Sequence, residues 1–306
     1  ELMEFSGGAY TVVETYDDMD TGDGATFQFF LDKVEALYPA ENMCVVPWNH
    51  GGSWLGVCSD EDYGNDIIRM NELSDAIVGA GLEIDIMAFD ACLMSSVEVA
   101  YELSDTDLVK YMVASEMSIP FDGFPYDLMF TPLMEDSSAT PEELCDMMLV
   151  GWDAYYHYGR MVNLVVTDVA VVGAALPIFQ AWSEALLGGL EAYGEGYQTA
   201  LDAAIGNGYA GYGVDLHDFC EQLVLNVPDE AVRDASEAVM AVVEDAVVGL
   251  HTCKHLRDMH GLTIWWVSAD YEYLLVDRYI AMVQFVTDTG YDDLQTAWAL
   301  TFPAAE

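Results

Sequence analysis

Residues 84–103 read IDIMAFDACLMSSVEVAYEL. The first six are almost all apolar and lack the strict alternation of a half-buried strand. Such a run suits a strand covered on both faces. From Leu93 the apolar residues fall at helical spacing, through Val97 and Leu103. Asp90 and Cys92 stand between the two patterns, at the end of the strand.

The same grammar repeats on either side. Strands are expected at 42–47, 111–114 and 162–167, and again at 262–267 (LTIWWV). Helices are expected at 26–38, 71–80, 93–103 and 141–158. The last opens with Thr140-Pro141-Glu142-Glu143, an N-cap, a proline at the first helical position and a Glu at the third. Buried strands alternating with helices define an α/β class, an α/β/α sandwich with a mostly parallel central sheet. The core is expected over residues 1–167. Residues 168–306 read as a mainly helical extension that adds the strand at 262–267, with its longest helix at 229–249 and a break at 206–213.

Composition narrows the function. The 306 residues carry 54 acidic and 8 basic side chains, a formal charge of −46. Eight scattered basic residues cannot build a patch for nucleic acid or for an anionic membrane. Yet 53% of residues are hydrophobic, enough for a sizeable core. The acidity reads as solvation, for saline or extracellular surroundings. No uninterrupted apolar run reaches membrane-spanning length. The six cysteines are widely spaced and show no CxxC pattern, so neither a disulfide scaffold nor a zinc ribbon is expected.

Chemistry in open parallel sheets collects beyond the carboxyl ends of strands. Two such ends stand out: Trp48-Asn49-His50-Gly51-Gly52-Ser53-Trp54 and Phe89-Asp90-Ala91-Cys92-Leu93-Met94. A cysteine is a good nucleophile as thiolate, so it needs a base and an electropositive setting. His50 is the candidate base. With a helix expected from Leu93, the Cys92 sulfur would sit at a helix N-terminus. Gly51 and Gly52 leave backbone amides free to approach a substrate, and the Gly51 and Cys92 N–H groups can form an oxyanion hole. The plainer alternative is an inert buried cysteine and a histidine in a turn.

FDACLMSSVEVAYEL (89–103) closely resembles the cysteine motif of clostripain-like peptidases, and WNHGGSW their histidine motif. The likeness continues through GVCSDEDYGNDIIRMNEL (56–73) and ASEMSIPFDGFPYD (114–127), and loosely at 213–219 and 260–264. This resemblance implies a caspase-like fold and a Cys92/His50 dyad that cuts after Arg or Lys. It implies Asp90 as the acidic specificity residue, with Asp122 as a second carboxylate. The chemistry is apt, because a buried guanidinium needs a carboxylate partner. Without the resemblance, Asp90 reads as a helix-start carboxylate and Asp122 as a turn residue. The family often matures by self-cleavage after a basic residue between the two motifs. Arg69 is the only Lys or Arg there. The family also generally has a further N-terminal segment supplying the first strand and helix, whereas this chain opens close to the later region.

No cofactor is needed for this chemistry, although calcium is possible by the same resemblance. The implied partners are peptides with a basic residue before the scissile bond, met extracellularly or at a cell surface. Two other classes remain at this stage: a catalytically silent acidic binding module of the same fold, and an acidic calcium-binding structural protein. Neither Asp18/Asp20/Asp23 nor Asp60/Asp62/Asp66 has EF-hand spacing. His251, Cys253, His255 and His260 read as structural rather than as zinc ligands.

Overall fold

The computed structural model describes all residues except 136, 157–160, 207–212, 254–255, 257–258, 268–273 and 303–306. β1 (Leu2–Ser6) and β2 (Ala9–Glu14) form an antiparallel hairpin. α1 (Gly24–Leu37) follows, with the Asp23 carboxylate capping the Ala25 N–H at 2.9 Å. Next come β3 (Cys44–Val45), a 3-10 turn at Ser53–Leu55, and the hairpin of β4 (Val57–Asp60) with β5 (Asp66–Ile68). α2 (Met70–Ala80) leads to β6 (Ile84–Ala88), α3 (Val97–Asp105) and β7 (Val109–Ala114). Then follow α4 (Tyr126–Glu135), α5 (Pro141–Tyr156) and β8 (Asn163–Asp168). At the start of α5, Thr140 and Glu143 cap each other's N–H groups, the reciprocal box expected from TPEE.

The second half holds α6 (Val169–Ala174), α7 (Leu176–Ala203), β9 (Val214–Asp215), α8 (Leu216–Asn226), α9 (Glu230–Ala246), β10 (Val247–Thr252) and β11 (Thr263–Ile264). α10 (Leu274–Met282), α11 (Gln284–Asp288) and α12 (Tyr291–Thr301) complete it.

The main sheet runs β10-β8-β7-β6-β3. β3, β6 and β7 are parallel, while β8 and β10 add antiparallel at one side. Along β6 and β7, alternate side chains enter opposite cores. Met87, Phe89, Met112 and Ala114 pack with α2, α3 and the second-half helices. Ile86, Ala88, Tyr111 and Val113 pack with Met129 of α4 and Met148 and Trp152 of α5. Burial on both faces explains why these strands read as continuous apolar runs.

The second half departs from expectation in its sheet strand and in its helix lengths, its longest helix being α7. The strand it adds to the main sheet is β10, whereas β11 pairs with β9 in a separate ribbon. Residues 262–267 are apolar because they are buried, packed with α3 and with Trp54, Phe219 and Trp298, and only 263–264 form a strand, outside the main sheet. The helix expected over 229–249 ends at Ala246, where Val247-Val248 turns into β10. A β-branched pair directly after a helix-periodic run gave no boundary of its own.

Candidate active site

The parallel register builds the site. β3 pairs with β6 at an offset of 42 residues, Cys44 with Ile86 and Val45 with Met87. The offset persists beyond the strands, where Trp48 bridges Asp90 and the Asp90 N–H donates to the Pro47 carbonyl at 3.0 Å. His50 and Cys92 are separated by that same offset, so they leave the sheet side by side at its carboxyl edge.

The two loops touch at Gly51. A Cβ there would fall 2.4 Å from the Cys92 carbonyl oxygen and 3.0 Å from both Ala91 Cβ and Met94 Sδ. Only glycine allows this approach. The histidine loop is held from behind, with the Cys58 N–H donating to the His50 carbonyl at 2.9 Å and Gly51 bridging Val57. His50 is exposed and opens on a cavity of about 240 Å³ that Asn49, Asp60 and Glu61 also line. Trp54, at the end of the motif, is buried against Trp265 and Tyr279 of the second half.

Cys92 is half-buried, its Sγ 3.7 Å from the Ile119 carbonyl oxygen. The expected helix N-terminus at the sulfur is absent: α3 begins at Val97, capped by Ser96. Leu93 adopts a left-handed φ of 68°, which turns the chain out of helical continuation directly after the cysteine. The strip 115–119 supports this turn. The Leu93 N–H donates to the Met117 carbonyl at 3.1 Å and the Ser95 N–H to the Ser115 carbonyl at 3.0 Å. Among the described residues no acceptor takes the Gly51 or the Cys92 N–H.

Asp90 lies just below. It is 3% exposed and accepts from the Phe124 N–H at 3.1 Å and the Tyr126 hydroxyl at 2.9 Å. Burial raises its carboxyl above the ordinary range, and these two hydrogen bonds pull it back down. Its partners come from the 120–126 loop, not from α3. Gly123, at φ 67°, lies against it, since a Cβ there would stand 2.9 Å from Oδ2. Asp122 is the exposed neighbour in the turn closed by the Gly123 N–H and the Pro120 carbonyl at 2.8 Å. Arg69 precedes α2, its guanidinium 3.1 Å from Glu72, and the following residue Met70 is fully buried.

Sequence reading passed over Ser115, Met117 and Ile119. The signal for them was the carboxyl end of the third parallel strand, β7. Among the described residues no three His, Cys, Asp or Glu side chains are arranged to hold a metal ion. His251 lies on β10 near Asp153, His260 contacts Asp215, and His255 falls outside the described residues. All six cysteines are free thiols.

A mixed sheet with a parallel central part between helical layers, with histidine and cysteine loops at adjacent strand ends, defines a caspase-like protease fold. The sequence model of the clostripain family matches residues 4–177, and the chain belongs to that family of cysteine peptidases. Clostripain of Hathewaya histolytica is 26% identical over 163 residues, a match covering 48% of this chain and 30% of clostripain. The chain thus spans under a third of that relative's length. An inactive zymogen C11 protease from Parabacteroides distasonis superimposes with a TM-score of 0.71, at 19% identity, over 94% of this chain and 82% of that one. A secreted C11 cysteine protease from Bacteroides thetaiotaomicron, in complex with an irreversible peptide inhibitor, gives 0.69 at 18% identity, over 95% and 85%. A clostripain from Bacteroides thetaiotaomicron with the peptide inhibitor BTN-VLTK-AOMK gives 0.52 at 19%, over 72% and 93%.

Proposed function

We propose that this chain is a cysteine endopeptidase that hydrolyses peptide bonds after Arg or Lys. The carrying observation is the shared register that brings the His50 and Cys92 loops to adjacent strand ends, with Gly51 against the Cys92 carbonyl. His50 takes the thiol proton, and the Cys92 thiolate adds to the scissile carbonyl. The oxyanion is held by the uncommitted Gly51 and Cys92 N–H groups. The C–N bond breaks as His50 returns the proton to the leaving amine. Water, deprotonated by His50, then hydrolyses the thioester.

Asp90 and Asp122 set the preference for a basic side chain. A carboxylate raised by burial gains most when a cation arrives, because the incoming charge repays its lost hydration. The lysine-ending inhibitor bound by one relative agrees with this preference. The acidic surface and the secreted relative favour an extracellular setting. No described helix is long and apolar enough to cross a membrane.

The test is turnover of fluorogenic peptides ending in Arg, Lys or Leu, under reducing conditions. Wild type is expected to cleave the first two, and Cys92→Ala or His50→Ala to abolish cleavage. Asp90→Asn should lose roughly tenfold to a hundredfold in kcat/KM on the Arg peptide, the worth of a charge-assisted hydrogen bond. A folded wild-type sample that cleaves none of them, with or without added calcium, refutes peptidase activity. Retained Arg selectivity in Asp90→Asn removes Asp90 from the pocket.

A further inference from the structure

Behind the strip that supports Cys92 lies a buried acidic pair that the chemistry above does not use. Residues 115, 117 and 119 turn their carbonyls toward the cysteine loop. Glu116, between them, turns away into the protein and is fully buried. Its Oε2 accepts from Asn163 Nδ2 at 2.7 Å, and its own N–H donates to Asn163 Oδ1 at 3.1 Å. Its Oε1 is buried and finds no donor. The group beside that carboxyl is the carboxyl of Asp215, also fully buried. Two carboxyls within hydrogen-bonding reach of each other and away from water need a proton between them.

Asp215 is fixed on its other side. Its Oδ1 accepts the Asp218 N–H at 2.8 Å and lies 3.1 Å from His260 Nδ1, and its Oδ2 accepts the His260 N–H at 2.6 Å. The His260 ring stacks on His217 at 3.9 Å, and His217 Nε2 lies 3.2 Å from Glu244 at the surface. The next residue, Gly261, presents its carbonyl to the Ser95 hydroxyl at 2.7 Å, which ties this side to the cysteine loop a second time.

We propose that Glu116 and Asp215 share one proton, and that this Glu116–Asp215–His260 relay is a positioning device for the strip 115–119 and hence for the Cys92 thiol. Its catalytic reading rests on the peptidase function proposed above. The groups that face it are Asn163 and the Gly261 N–H at Glu116, the buried Cys220 thiol at Asp215, and Asp218, Glu221 and His217 of α8 at His260, with Glu244 of α9 beyond His217. All the ionisable ones except the histidines and the buried Cys220 thiol are acidic, so once His260 has lost its proton nothing nearby compensates a second negative charge. Burial, and Asp215 beside it, push the Glu116 carboxyl well above the ordinary range. The hydrogen bond to Asp215 raises His260. Both groups therefore lose their stabilising proton as pH rises, and two ionised carboxylates would then push the strip away from Cys92.

Glu116→Gln tests this. Its amide can donate to Asp215 at every pH, with no proton to lose. Two readouts are followed from about pH 5 to about pH 9. One is kcat/KM on the Arg peptide; the other is the rate of Cys92 alkylation by iodoacetamide, resolved by peptide mass spectrometry. Wild type is expected to lose activity at the alkaline end, and the variant to keep it. The variant-to-wild-type ratio of both rates should climb at least about threefold across the range. Superimposable profiles overturn the proposal, and so does a variant uniformly slower at all pH, which marks a merely structural role. Alkylation needs no turnover. A Glu116-dependent alkaline limb in alkylation without cleavage would refute the peptidase function and leave the relay standing.

Discussion

Gly51 shows how little room the site leaves. The hydrogen it carries instead of a methyl group is all that separates the His50 and Cys92 loops. Gly51→Ala is expected to cost about 1–3 kcal/mol of stability by overpacking against backbone that cannot rotate aside. Even where the variant folds, a misplacement of about 1 Å between the proposed base and the thiol is expected to cost roughly a hundredfold in kcat/KM. Thermal melting and steady-state kinetics measure the two effects separately. At this scale the adjacency of the His50 and Cys92 loops was legible from composition around strand ends and from the motif likeness. Glu116 and Asp215 were not, because residues so far apart in sequence become neighbours only when β7 and the loop before α8 are folded together.

Among the elements, α3 does the joining. Ser96 bridges Thr263, and Glu98 accepts from the Trp265 N–H and the Tyr279 hydroxyl, both at 2.7 Å. One turn on, Glu102 Oε1 accepts the N–H groups of Gln284 and Phe285 at the start of α11. Burial lifts Glu102 from 4.5 to about 7, against those two hydrogen bonds. A folded-state value above the unfolded one gives stability that is complete below 4.5 and lost as pH rises through about 7. Glu102→Gln keeps both bonds, since they share one oxygen, and removes the proton. The stability of the variant relative to wild type should therefore grow between pH 4.5 and about 7 and level off above, as read by denaturant titration at several pH values. A constant difference would contradict the assignment. The elements themselves were largely readable, since a strand buried on both faces and a Thr-Pro-Glu-Glu start are local signals. The start of α3 was misread because Leu93 and Met94 continue the apolar spacing, while the left-handed turn at Leu93 depends on the strip across from it.

For the molecule as a whole the dominant fact is a charge of −46. Of the described basic side chains, Lys33, Arg69, Lys110 and Arg233 each face a carboxylate within 4 Å. These pairs are part-exposed and worth little against the net repulsion. Salt screens repulsion over about 10 Å at 0.1 M. The melting temperature should rise steadily from low salt to about 1 M NaCl, and a flat response would reject self-repulsion as a limit on stability. The sign of this effect was legible in the composition alone. That the second half is built into the sheet through β10, and into the histidine loop through Trp265 and Tyr279, was not.

The contact at Gly51 also makes the mouth of the site lopsided. One flank is backbone against backbone with no clearance. The other is the Pro120–Gly123 turn, with the Phe121 side chain fully in solvent at its tip. Divergence is then constrained unevenly: position 51 admits no side chain, and Gly123 is held against Asp90, while Phe121 at the tip of the turn is free to vary in side chain. An engineer seeking new specificity should build libraries there and leave the opposite wall untouched.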